Sequence, residues 1–143
     1  MASPIPHITE PLLDPETGRV TDAWHRYLEQ FSGALSLAKD TLTLTDGVNS
    51  NIALPTATFL RIIGLTGAFS TSGFANGFDG RLIVVRNTLA QAWTITNEAT
   101  SAAGNQIITQ TGADVVLTGA GGSSAWFVYD VTASRWLLMG TQG

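Results

Sequence analysis

The acid–base groups across residues 41–143 are five acids, Asp46, Asp79, Glu98, Asp114 and Asp130, and four bases, Arg61, Arg81, Arg86 and Arg135. Hydrolysis by paired carboxyl groups needs them about 5–10 Å apart. These acids are scattered, and Asp46, Asp79 and Asp130 stand beside turn signals, where a short carboxylate bonds local backbone. Only a cleft drawing two of them together would revive that chemistry. Nucleophilic catalysis needs a Ser or Thr beside a base, but His7 and His25 both precede residue 41 and neither stands in a triad context. The chain has no cysteine, which removes disulfides, thiolate metal sites and thiol nucleophiles. No Asp/Asn calcium-loop pattern and no histidine pair at helical spacing occurs. The glycine runs Gly73-Phe74-Ala75-Asn76-Gly77 and Gly119-Ala120-Gly121-Gly122 lack a lysine and a following helix, so they read as turns rather than phosphate loops. These patterns predict no enzyme, no cofactor and no metal.

The aromatic side chains are a second source of chemistry. Trp93, Trp126, Phe127, Tyr129 and Trp136 fall in strand-like runs. Exposed rings with polar neighbours would make a sugar-binding face, while inward rings would pack a core or an interface. In Ser-Ala-Trp-Phe-Val-Tyr-Asp, alternation sets Trp126, Val128 and Asp130 on one face and Phe127 and Tyr129 on the other. Core or interface packing is the favoured reading of these rings.

The elements that position these groups come in three segments. Residues 40–143 read as a β domain, with strands near 41–45, 51–54, 57–63, 67–72, 81–86, 92–97, 105–110, 114–118, 124–130 and 134–139. Gly- and Asn/Asp-rich breaks separate them. Short strands with no helix between them predict antiparallel sheets in a sandwich or jelly-roll-like domain. The only lysine, Lys39, precedes this region. Sheet edges are normally guarded by charge, so the expectation is that the edges close into a barrel or are covered by other subunits.

Residues 21–39 read as an amphipathic helix capped by Thr21, with Asp22 in its first turn. Trp24, Leu28, Phe31 and Leu35 recur at heptad spacing, which suits either docking on the β domain or a short bundle between identical subunits. Residues 1–20 hold four of the chain's five prolines, Pro4, Pro6, Pro11 and Pro15. They read as an extended arm, because proline suits neither a long helix nor a central strand. Its spaced apolar residues Ile5, Ile8, Leu12 and Leu13 suit an arm ordered by lying on another protein. Asp14-Pro15-Glu16-Thr17-Gly18 is a turn signal.

Composition narrows the classes further. The 143 residues are 44% hydrophobic and only 13% charged, with a net charge of -4, enough apolar surface for one core. A pI near 4.8 lacks the clustered cations of nucleic-acid binders. No apolar run approaches the length of a membrane span, and the first residues lack the basic-then-apolar order of a signal peptide.

Two stretches carry a resemblance. Pro11-Leu-Leu-Asp-Pro-Glu-Thr-Gly-Arg-Val-Thr-Asp-Ala-Trp24-His-Arg-Tyr-Leu resembles the N-terminal segment of small virion proteins of tailed bacteriophages, where a turn leads into a helix. Asp79-Gly-Arg-Leu-Ile-Val-Val-Arg-Asn87, Trp93-Thr-Ile-Thr-Asn97-Glu, Ala103-Gly-Asn105-Gln-Ile-Ile-Thr, Asp114-Val-Val-Leu and Val128-Tyr-Asp-Val-Thr-Ala-Ser-Arg-Trp136 are together similar to β-rich domains of phage fibre and tail-associated proteins. The resemblance implies a structural virion component, a homotrimeric short fibre (head or tail), fibre-anchor or decoration-like protein. It would attach to another virion protein of the tail, neck or capsid. Ile5, Ile8, Leu12 and Leu13 are then the expected virion-anchoring residues, and Trp24, Leu28, Phe31 and Leu35 the expected oligomerisation residues. The alternative is a carbohydrate-binding or host-adhesion module of a phage fibre. No nucleic acid and no membrane is expected as a partner.

Overall fold

The computed structural model describes residues 11–21, 24, 37–119 and 122–143. The chain divides into two compact units, 1–37 and 38–143, and each is described by itself.

In the first unit the described residues fold back on themselves. Leu13 and Val20 form an antiparallel bridge, and the Thr21 amide donates to the Leu12 carbonyl at 3.0 Å. The turn between them is the one signalled by Asp14-Pro15-Glu16-Thr17-Gly18. Asp14 Oδ1 accepts the amides of Glu16 at 2.8 Å and Thr17 at 3.0 Å, and Gly18 takes φ +67°. This corrects the extended arm over residues 11–20, because the Asp14 carboxylate supplies the acceptors that let the chain reverse. The expected helix over 21–39 lies mostly outside the described residues. Trp24 has helical backbone, residues 37 and 38 do not, and the helix is not borne out.

The second unit is mainly β, built from ten strands in two mixed sheets. The chain alternates between the sheets. β1 (Lys39–Thr43), β3 (Phe59–Ile63) and β5 (Leu82–Asn87) lie in the larger sheet, and β2 (Gly47–Asn49), β4 (Phe69–Thr71) and β6 (Trp93–Ile95) in the smaller. β7 (Ile107–Ile108), β8 (Val115–Leu117), β9 (Ser123–Asp130) and β10 (Arg135–Gln142) complete them. The orders are β1-β3-β5-β9-β10-β7 and β2-β4-β6-β8. Pairing is parallel along β1-β3-β5, along β2-β4-β6 and between β10 and β7. It is antiparallel at β5-β9-β10 and β6-β8.

The antiparallel sandwich or jelly roll expected from the absence of helices is therefore corrected in part. A parallel pair needs a long crossover, usually a helix. Here the crossover from β1 to β3 contains β2, and that from β3 to β5 contains β4. The chain coils, and a strand of one sheet serves as the connection for the other. The expected strand at 51–54 reduces to a single bridge between Ile52 and Phe74, and β2 forms just before it.

Alternation explains which residues face inward. Leu60 and Ile62 of β3, Ile83 and Val85 of β5, and Ala125 and Phe127 of β9 are fully buried. The smaller sheet supplies Phe69, Trp93 and Ile95 to the same core. Parallel in-register pairing stacks like on like: Phe69 and Trp93 are direct partners, and their rings lie 5.8 Å apart and 13° from coplanar. Trp93 packs across to Phe127 of the larger sheet at 6.5 Å, so both sheets share one core. The two buried indoles each find an acceptor there. The indole N–H of Trp93 donates to Thr71 Oγ1 at 3.0 Å, and that of Trp136 to the Phe74 carbonyl at 2.8 Å.

Polar side chains tie successive coils. Asp46 accepts the Thr66 amide at 2.9 Å, the Thr66 hydroxyl at 2.6 Å and the Gly67 amide at 2.8 Å. Asn49 Nδ2 donates to the carbonyls of Thr45 at 2.8 Å and Ser70 at 3.2 Å. Gly64 closes the same corner with φ +91°, where a Cβ would sit 2.8 Å from the Leu44 carbonyl oxygen. Only glycine takes that conformation and that approach without strain.

Of the two ways expected to protect the sheet edges, closure into a barrel is not what forms: among the described residues both sheets are open. Among the described residues the edge strands are β7 with two residues, β2 and β8 with three each, and β1 with five. Short edges template little further pairing, and β1 carries the charges of Lys39 and Asp40. Edge protection therefore does not require neighbouring subunits.

Candidate interaction face

The outer face of the larger sheet is built by the alternate positions that the core leaves outward. Register lines them up across strands. One row runs Lys39, Phe59, Val84, Trp126 and Gly140. The next, two residues along, runs Thr41, Arg61, Arg86, Ser124 and Gln142. On the other side of the first row lie Leu82, Val128 and Leu137. Phe59, Val84, Val128 and Leu137 are half-buried, while Leu82 is 42% and Trp126 38% exposed. The Trp126 indole lies across Gly140, where any Cβ would overlap the ring. The glycine thus seats the indole on the sheet.

This apolar row is bordered by cations that, among the described residues, have no acid against them. Among the described residues the ion pair that forms is Arg135 with Glu98, at 3.7 Å. Arg81 instead donates to the carbonyls of Asn76 at 2.7 Å and Pro55 at 2.5 Å, and its partial burial lowers its pKa from the ordinary value. Lys39, Arg61 and Arg86 meet no carboxylate. Arg61 donates from Nε to the Thr88 hydroxyl at 3.3 Å. Arg61 and Arg86 are direct cross-strand partners, an arrangement that destabilises a sheet unless something compensates it. A cleft of about 450 Å3, lined by Lys39, Asp40, Thr41, Phe59 and Arg61, opens at the margin of the face. A second cleft, of about 720 Å3, lies along the leading coil between Thr41–Leu44 and Val48–Pro55.

The acids singled out by sequence do other work. Asp46 ties Thr66 and Gly67, Asp79 accepts the Val131 amide at 3.2 Å, and Asp114 accepts the Asn97 amide at 2.9 Å. Asp46 and Asp79 thus bond segments 20 and 52 residues away rather than local backbone, which corrects that reading. Asp130 does bond locally, to Thr132 at 2.7 Å and Ala133 at 3.3 Å. Hydrogen bonds from the Thr66 hydroxyl and the Gly67 and Thr66 amides hold the Asp46 carboxyl below its ordinary pKa of 3.8. Amide donors from Thr17 and Glu16 do the same for Asp14. Each favours the ionised form by bonding to it. Among the described residues no three His, Cys, Asp or Glu side chains gather as a metal site would.

Of the expected oligomerisation residues, Trp24 is half-buried, while Leu28, Phe31 and Leu35 lie outside the described residues. Of the expected anchoring residues, Leu12 and Leu13 are each 51% exposed on the N-terminal turn, while Ile5 and Ile8 lie outside them, as do His7 and His25. Trp93, weighed as a sugar-binding ring, is fully buried, whereas Trp126 is exposed. The Arg61–Arg86 pair was missed by sequence reasoning. Its signal was two arginines at outward strand positions, but pairing them needs the register. No family model, no curated protein and no solved structure matches this chain.

Proposed function

We propose that the chain is a structural, non-enzymatic component of a tailed-phage particle. In this reading it is an oligomeric, trimeric short fibre or fibre-anchor protein, attached to tail, neck or capsid through its N-terminal segment. The resemblance of residues 11–28 and 79–136 to phage virion proteins supports the setting. The observation that carries the interaction role is the outward row Phe59–Val84–Trp126 on the larger sheet, flanked by Leu82, Val128 and Leu137. An apolar row of this kind supports a role in meeting a partner. Trp24, Leu28, Phe31 and Leu35 would pack near the subunit axis. Ile5, Ile8, Leu12 and Leu13 would contact the partner protein.

Sedimentation equilibrium of the full chain tests the oligomer: a trimer mass at micromolar concentration is expected, and a stable monomer overturns it. Purified particles test the setting, because the chain must be found in them, in density of three-fold symmetry. A second reading, a carbohydrate-binding module, draws on exposed Trp126 alone. It predicts glycan-array binding that is lost in Trp126→Ala.

A further inference from the structure

We infer that the outer face of the larger sheet seats against a different, acidic surface of a second copy, so that copies associate head to tail in a closed ring rather than face to face across a two-fold axis. The inference rests on the self-association proposed above and specifies its geometry. Lys39, Arg61, Arg86 and Arg135 against Asp130 put this face at +3, and with the whole chain at -4 the remainder carries -7. A two-fold contact is isologous, the same patch on both copies. It would press a patch of net +3 against its own copy, with only Asp130 from each side to offset the cations. Removing such charges from water without a partner is costly. A heterologous contact instead brings carboxylates from the acidic remainder of the next copy.

The side chains suit that occupant. Arg61 and Arg86 are direct partners on neighbouring strands, about 4.8 Å apart. Guanidinium forks bind carboxylates in bidentate fashion, so one or two acid side chains relieve the repulsion that the isolated sheet carries. The cleft lined by Lys39, Asp40, Thr41, Phe59 and Arg61 gives a protruding side chain a recess. The adjoining row of Phe59, Val84 and Trp126 supplies apolar contact around the charges. Head-to-tail contacts close into rings or run on as filaments, and three copies would satisfy the trimer reading.

The test uses the full chain carrying R61E and R86E together. This variant is expected to be monomeric where the parent is a trimer, with unchanged circular dichroism. Mixed with differently labelled parent chain, it still offers its acidic surface, so complexes containing both labels are expected. A face-to-face contact would set its glutamates against the parent's arginines and give two-copy complexes, so mixed trimers rather than mixed dimers are the expected result. Raising salt from low to high should weaken parent association on the order of tenfold. R61A with R86A serves if the glutamate variant does not fold, and it should also weaken association. A parent dimer, unchanged mass in the variants, or absence of mixed trimers overturns the inference while leaving self-association standing. A monomeric parent overturns both.

Discussion

The two sheets are laid down by the same coiling chain, yet their outer faces differ. Across the smaller sheet the outward row reads Val48, Ser70, Thr94 and Val116. Its strands are three residues long, its middle is short and polar, and it carries no charge. Across the larger sheet the corresponding row reads Lys39, Phe59, Val84 and Trp126, with Arg61 and Arg86 alongside. Val48 and Val116 are 64% and 62% exposed, but Ser70 and Thr94 separate them, and isolated exposed apolar residues are ordinary. The difference teaches that a two-sheet coil needs only its inner faces to fold. The outer faces are free to diverge, and only one of them carries features that a lone domain does not require.

The sharpest way to break this comparison is to truncate in turn one tryptophan of the shared core and the outward tryptophan of the larger sheet. Trp93→Ala removes a fully buried ring stacked on Phe69 and bonded to Thr71, and should cost about 3–5 kcal/mol in urea unfolding. Trp126→Ala should cost below about 1 kcal/mol of folding stability, in keeping with its exposure, yet lower the mass of the assembly. Equal losses of stability in the two variants would show that the outward ring is part of the core.

A second break targets the seat of the indole. Gly140→Val forces a side chain into the volume that the Trp126 ring occupies. It should displace the ring, shift tryptophan fluorescence and weaken association while the protein stays folded. A variant that associates as before would detach Trp126 from the interface.

The coil ties give a smaller, pH-dependent effect. Hydrogen bonding lowers the Asp46 pKa below 3.8. Its contribution to stability is therefore present above that value and is lost as pH falls through the lower folded value. Asp46→Ala should lower stability at neutral pH and flatten the decline of stability below pH 3.8. An unaltered acid limb in thermal melts recorded from neutral pH downward would exclude this role. The smallest effect belongs to the other outer face. Val116→Thr should change stability within about 0.5 kcal/mol and leave association unchanged. A drop in mass would move the interface to the smaller sheet.

Much of the strand pattern was legible in residue order. Nine of the ten expected strand positions overlap strands in the structure, because alternation of apolar and polar residues is a local signal. The Asp14 reversal was legible for the same reason, as a carboxylate reaches amides two and three residues on. The ties of Asp46 and Asp79 were not, since their partners lie 20 and 52 residues away. Nor was the direction of pairing. Alternation says that a strand has two faces but not whether its neighbour runs with it or against it.

The candidate face shows the same division. Alternation placed Trp126 opposite Phe127, and the arginines were visible at strand positions. That Arg61 stands beside Arg86, and Phe59 in line with Val84 and Trp126, depends on registers between strands about 25 and 40 residues apart. Those registers are decided by how the two sheets close one core around Trp93, Phe127 and their neighbours, where sliding a strand by one residue would turn its buried side chains to solvent. Side-chain period is a property of neighbouring residues and can be read along the chain. Register and strand direction are properties of the packed whole, and only the packed whole sets them.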